Sequence, residues 1–182
     1  MGQPGPHGDV VLVVGMLTRF PELFERAEAT LVERFGLVRR ASPAMPFTFS
    51  DYYTPDMGPD LLRKFLAFER PIRPDRLADI KLFTNAVETA MAGPDWPVKR
   101  PINLDPGYLE LSKLVLASTK DHAHRIYLRD GIYAEITLSY HDGAFQPLPW
   151  TYPDYRTDEY RSFFEAARRD LKGTAGRTKD ST

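Results

Sequence analysis

Asp130-Gly131 separates "AHRIYLR" from "IYAEITLSY", two strand-like runs rich in β-branched and aromatic residues. A two-residue hairpin turn needs positive φ at both central positions, and Asp-Gly supplies it at low steric cost. The chain must therefore reverse here as an antiparallel pair. A second such dipeptide, Asp142-Gly143, precedes "AFQPL", and "KLVLAST" lies just upstream. Together these segments predict an antiparallel meander over the C-terminal half.

The turn also predicts a register. With Asp130 and Gly131 central, Arg129 pairs with Ile132, Leu128 with Tyr133, Ile126 with Glu135 and His124 with Thr137. His124 and Glu135 then share a face as diagonal neighbours, while Arg125, Tyr127 and Arg129 take the other. An imidazole oriented by a carboxylate can move protons or hold a metal. A cross-strand polar pair on a half-solvated sheet explains the same spacing.

Helical periodicity dominates the first half. "VVLVVGML" reads as a buried strand, followed by a helix over "PELFERAEATLVERFG" whose apolar stripe is Phe20, Phe24, Ala27, Leu31 and Phe35. "LVRRAS", "FTFSDYY" and "RKFLAFE" are strand-like, and "PDRLADIKLFTNAVETAMAG" is a second helix. A last helix, Asp158 to Leu171, carries Tyr160, Phe163, Phe164, Ala167 and Leu171 on one face. Strands outnumber helices without strict alternation, which predicts an α+β fold: a mixed sheet with a C-terminal antiparallel meander and about three packed helices.

Residues 1–8 are rich in Gly and Pro and residues 172–182 are small and polar, so both are expected to fray around one domain spanning 9–171. Twenty-four basic against twenty-five acidic side chains give a net charge of -1, which disfavours a nucleic-acid binder. The chain has no cysteine, which removes disulfides, thiolate nucleophiles and thiolate metal sites. The longest apolar run, Val10 to Val14, is too short for a bilayer, and the start "MGQPGPHGD" does not resemble a signal peptide, so no membrane association and a cytoplasmic location are expected.

Several further polar residues sit on otherwise apolar elements. Lys81, Asn85 and Glu88 form a narrow stripe bordering the apolar face of the second helix, a position that suits a cleft lining or a snorkelling lysine with a nearby carboxylate. "RPINLDPGYLELSK" places Asn103 and Asp105 ahead of Pro106-Gly107 and reads as a strand entering a turn, with Asp105 as a candidate base or a local backbone acceptor. Lys120 follows "LVLAST" and can meet a phosphate or carboxylate, or simply protect a strand end. His122 and His124 have the i, i+2 spacing of strand metal ligands, but no third ligand is set by spacing, and no metal site is expected. The aromatics of "PWTYPDYRTDEY" read as a connector packed on the sheet, with base stacking as the alternative. No P-loop, dinucleotide fingerprint or nucleophile elbow occurs.

In combination and in order, "DYYTPDMG", "IKLFTNAVE", "INLDPGY", "LASTKDHAHRIYL", "GIYAEITL" and "WTYPDY" resemble the bacterial family of domain of unknown function 4416, over about Val11 to Arg168. The resemblance implies a bacterial, soluble, single-domain protein and supplies no catalytic residues. Members are sometimes labelled GTP-binding proteins, but this chain has no P-loop to support that label.

The expectation is a polar cleft for a small anionic ligand, phosphorylated or nucleotide-like. His124, Glu135 and Asp105 are the candidate proton-transfer groups, and Lys81, Asn85, Glu88, Asn103, Lys120 and Arg125 the candidate ligand contacts. Whether the protein is an enzyme, its cofactor and its oligomeric state are left open. A non-catalytic RNA- or protein-binding module is the alternative.

Overall fold

A computed structural model describes residues 2–179, with side-chain surroundings for residues 2–173. The first unit runs β1 (Val11–Thr18), α1 (Pro21–Phe35), β2 (Val38–Ala41), the short β3 (Met45–Pro46), the single-turn helix α2 (Thr54–Met57), β4 (Leu62–Phe68), α3 (Leu77–Met91) and β5 (Ile102–Leu109). There follow β6 (Lys113–Ser118), β7 (Ile126–Arg129), β8 (Ile132–His141), β9 (Ala144–Pro147) and α4 (Asp158–Lys179). The α+β class, the three long helices and the C-terminal meander are as expected. Helix α4 continues past Leu171 to Lys179, so most of the expected tail, 172–182, is helical, and 180–182 lie outside the described residues.

The strand order is β2-β4-β1-β5-β6-β8-β7, with β3 on β4 and β9 on β8. Every strand pairing among the described residues is antiparallel, so the sheet is not mixed. The reason is topological. Strands β1 and β2, joined by α1, run the same way, but β4 stands between them; β4 and β5, joined by α3, flank β1 in the same manner. These are interleaved split β-α-β units, the ferredoxin-like order, with the meander added at the β5 edge.

The predicted helix stripes are the observed contacts. Phe24, Ala27 and Leu31 of α1 and Ile80, Val87 and Met91 of α3 pack with Leu12, Val14 and Met16 of β1. Tyr160, Phe163, Phe164 and Ala167 of α4 pack with Val13, Phe65 and Leu109 on the opposite face. Strand β1 is thus covered on both sides, which explains its unbroken apolar run.

Local chemistry corrects the sequence reading in three places. "FTFSDYY" is not a strand: the Ser50 side chain accepts from the Tyr52 amide, and Pro55 sits in the first turn of α2. Pro106-Gly107 is not a turn: β5 runs through it, and a Cβ on Gly107 would lie 2.3 Å from the Val115 carbonyl oxygen, so only glycine permits this approach of β6. In the β7–β8 hairpin, Asp130 and Gly131 do have positive φ, 53° and 74°. A bulge between Tyr127 and Arg129, however, shifts the register, so Ile126 pairs with Ala134 and Tyr127 with Tyr133.

The sheet forks between β5 and β6. Their pairing covers only Gly107↔Leu116, Tyr108↔Val115 and Leu109↔Leu114, and it stops beside Pro106, which has no amide hydrogen to donate. Strand β6 instead stays on β8 as far as Ser118↔Tyr133. Residues 102–106 of β5 thereby turn an open edge toward a space that β6 and β8 close from the other side.

Candidate functional site

A strand edge opened in this way leaves backbone groups without ladder partners, and buried groups of that kind must find others. Helix α3 supplies them. Lys81 Nζ donates to the Leu104 carbonyl at 2.7 Å, and the Leu104 amide donates to Glu88 Oε1 at 2.7 Å. Two side chains two helical turns apart thus stand in for the missing strand. Lys81 is only 5 % exposed and retains N–H groups beyond the one used on Leu104.

The fork encloses a cavity of about 510 Å³. One wall is β5, with Asn103 and Asp105; another is β6 and β8, with Leu116, Ser118 and Glu135. Three loops complete it, carrying Tyr52 and Tyr53, then Lys120 to Arg125, then Trp150 to Tyr155.

Arg63 organises the floor. In the cross-strand register Asn103, Leu17 and Arg63 form one row, and Asp105, Gly15 and Phe65 the next on the same face. Because Gly15 has no side chain, the Arg63 guanidinium crosses above it to donate from Nη1 to Asp105 Oδ2 at 3.0 Å. Its Nη2 donates to Asp154 at 3.4 Å, and Nε is buried without a hydrogen-bond partner, as is the Tyr155 hydroxyl. Asn103 donates to the same Asp105 oxygen at 2.6 Å and accepts from Arg100, which is held by Glu88 at 2.7 Å.

The two acids on Arg63 are pushed apart. Burial alone would raise the Asp105 carboxyl, but Lys81 and Arg63 together hold it below its ordinary value. For Asp154 burial wins over Arg63, and the carboxyl is raised. Burial also raises Glu88 against the pull of Lys81 and Arg100. The Tyr53 hydroxyl is raised by burial and by Asp105, so it faces the cavity as a neutral phenol.

At the opposite wall Glu135 accepts from Arg125 Nε at 2.7 Å, and His124 Nε2 lies 3.2 Å from the same oxygen. The predicted His124–Glu135 proximity is therefore present, but by another route. Residues 122–125 form a turn, closed by the Arg125 amide on the His122 carbonyl, and this swings Arg125 to the Glu135 side instead of the opposite face. Arg125 also donates to the Ser118 hydroxyl at 2.7 Å and the Tyr152 hydroxyl at 2.5 Å, which ties its own loop to the end of β6 and to the 150–155 loop. The His124 ring lies parallel to Trp150 at 5.3 Å and to His122 at 5.8 Å. Lys120 donates to the Tyr52 hydroxyl at 2.5 Å across the mouth.

Of the residues expected from the sequence, Lys81, Asn103, Asp105, Lys120, His124, Arg125 and Glu135 line this cavity. Glu88 stands behind Arg100, one layer out. Asn85 is not brought in: it sits about 40° round the helix from Lys81, on the side away from Glu88, and does not line the cavity. Arg63, Asp154 and Tyr53 are not among the expected residues, and Trp150 is there only as one of the "PWTYPDYRTDEY" aromatics. Arg63 had a signal, since it shares a strand face with the apolar Phe65 and Ala67, both of them buried.

The family model for the domain of unknown function DUF4416 matches residues 8–171. The chain belongs to this family. No curated protein and no solved structure matches it. In this DUF4416 domain the fork cavity gathers the buried charge of Arg63, Lys81, Glu135 and Asp154. No group of three or more His, Asp or Glu side chains among the described residues could hold a metal ion, and no helix among them is long and apolar enough to cross a membrane.

Proposed function

We propose that the fork cavity binds a small anionic ligand, phosphorylated or nucleotide-like. One observation carries the reading: Arg63, Lys81, Arg100, Lys120 and Arg125 converge on one cavity against three carboxylates, and the buried Tyr155 hydroxyl on its wall has no hydrogen-bond partner. Unused donors call for an acceptor, and surplus positive charge for an anion. The cavity volume is that of a small-molecule site, and its aromatic walls suit a ring-bearing ligand.

Within this reading Lys81, Arg100 and Lys120 meet the anion, because each keeps N–H groups free of protein partners. Arg125 is committed to Glu135, Ser118 and Tyr152 and holds the loops in place. If a reaction follows binding, His124 on Glu135 is the group to take a proton, since Asp105, held ionised by Lys81 and Arg63, is a weaker base than a free carboxylate. Glu135 would fix the imidazole.

The test is a thermal-shift titration with inorganic phosphate, nucleoside monophosphates and sugar phosphates. A ligand that binds only the folded chain raises the melting temperature with its concentration. Lys81→Met and the exposed Lys120→Met are expected to reduce that rise. If no anion shifts the wild-type melting temperature, the reading fails.

A further inference from the structure

The two carboxylate oxygens of Asp105 are placed differently. Oδ2 has two donors, Arg63 Nη1 at 3.0 Å and Asn103 Nδ2 at 2.6 Å. Oδ1 makes no hydrogen bond among the described residues, and Lys81 Nζ stands 3.8 Å from it, beyond hydrogen-bond length. The side chain lines the cavity and is 23 % exposed. Because Lys81 and Arg63 hold the carboxyl ionised, Oδ1 is a charged acceptor still open to a donor.

A phosphate monoester dianion cannot fill that place. Its oxygens only accept, and two anions with no proton between them repel. Another part of the ligand must reach Oδ1, and it must be a donor. Lys81 narrows the choice, since its ammonium carries three N–H groups and spends one on the Leu104 carbonyl. A ligand amide N–H would donate to Oδ1 but take nothing from Lys81, and a ligand ammonium would be repelled by it. A hydroxyl donates to the carboxylate and accepts from the ammonium at once. The 3.8 Å between the two groups is a span that one hydroxyl oxygen bridges with bonds of about 2.8 Å. The Tyr53 hydroxyl, a neutral phenol on the facing loop, offers a second ligand hydroxyl both a donor and an acceptor.

We propose, on the reading that the fork cavity takes an anion, that Asp105 and Lys81 form a hydroxyl-binding subsite beside the anion, which makes the ligand a phosphorylated sugar, free or within a ribonucleotide. Lys81 joins the two subsites, giving one remaining N–H to the hydroxyl and the other to the phosphate, which Arg100 and Lys120 meet from other sides. Asp105 sets specificity, because an anion without a hydroxyl leaves its open oxygen unpaired. The parallel rings of His124 and Trp150 on the cavity wall are the place for a base where the sugar carries one.

The experiment is isothermal titration calorimetry on the full chain with two pairs of ligands matched in charge: ribose 5-phosphate against n-butyl phosphate, and adenosine monophosphate against its 2′,3′-dideoxy analogue. The hydroxylated member of at least one pair is expected to bind about tenfold tighter or more, the loss that follows when a charged group forfeits its hydrogen bond. A preference in the first pair assigns a free sugar phosphate, and one confined to the second a ribonucleotide. Asp105→Asn should narrow the preference, whereas Lys120→Met should weaken both members of a pair alike and leave their ratio unchanged. If both members of each pair bind equally well, the hydroxyl subsite is overturned while the anion site stands; if none binds, the anion reading fails and the subsite with it. An Asp105→Asn protein that binds with the wild-type ratio also overturns the assignment, and should that variant not fold, the wild-type pairs decide alone.

Discussion

Arg63 and Asp105 meet across Gly15: the guanidinium on β4 passes over the central strand and reaches the carboxylate on β5 at 3.0 Å. The ion pair exists because the intervening position has no side chain. A Cβ on Gly15 would stand 3.1 Å from Phe65 Cε1 and 3.3 Å from both Arg63 Nη1 and the Tyr155 hydroxyl. Gly15→Ala is therefore expected to cost about 1–3 kcal/mol, the range for overpacking a tight core, and to weaken anion binding with it. Urea unfolding checks the first effect and the phosphate thermal shift the second. An alanine variant indistinguishable from wild type in both would show that the crossing is not tight.

Gly107 is the stricter case, since its neighbour is backbone and cannot move aside. With a Cβ only 2.3 Å from the Val115 oxygen, Gly107→Ala must separate β5 from β6 at the one place where they pair. The expected loss is about 3 kcal/mol or more, at the upper end for overpacking. Fluorescence-monitored urea unfolding measures it, and a loss below that for Gly15→Ala contradicts the geometry.

The two carboxylates on Arg63 predict opposite dependences on pH. The folded Asp105 carboxyl lies below its unfolded value of about 3.8, so its stabilisation is complete above that value and drains away as the pH falls through the lower folded one. The folded Asp154 carboxyl lies above its unfolded value, so ionising it costs stability as the pH rises through the interval between the two. Asp105→Asn should flatten the acid limb of the stability profile while costing about 3 kcal/mol at neutrality, because Arg63 and Lys81 lose a partner. Asp154→Asn should remove the decline on the rising side. Urea midpoints from acid to neutral pH decide this; an acid limb unchanged in Asp105→Asn refutes the assignment.

The sequence made the elements legible wherever one periodicity prevailed, as in the stripes of α1, α3 and α4 and the Asp-Gly hairpins. It misled where a residue type has two uses. Pro106-Gly107 has the composition of a turn, but in β5 the proline ends a pairing and the glycine admits a neighbouring strand. The candidate site was recognised through His124, Glu135, Lys81, Asn103 and Asp105 because each is polar on an apolar element. The fork that assembles them was not legible, because it depends on β4 inserting beside β1 and on which half of β5 stays paired. Arg125 was assigned to the wrong face because a one-residue slip reverses every side chain, and the turn at 122–125 together with the bulge at Leu128 supplied that slip.

Glu135 has two partners of unequal burial, and this separates a structural role from a binding role. The side chains of Glu135 and Arg125 are 1 % and 2 % exposed, whereas that of His124 is 25 % exposed. Removing the carboxylate charge in Glu135→Gln leaves the Arg125 guanidinium buried without its counter-ion and is expected to cost about 3–5 kcal/mol. His124→Ala removes a ring that packs in parallel on Trp150 at the cavity wall, and its cost should stay near 1 kcal/mol, the value for a stacked pair. If the cavity uses His124 on its ligand, His124→Ala will lose most of the phosphate- or nucleotide-induced thermal shift while keeping the wild-type melting temperature almost intact. Calorimetric unfolding with and without the anion gives both quantities. A His124→Ala protein that keeps the full ligand shift assigns the imidazole to packing alone.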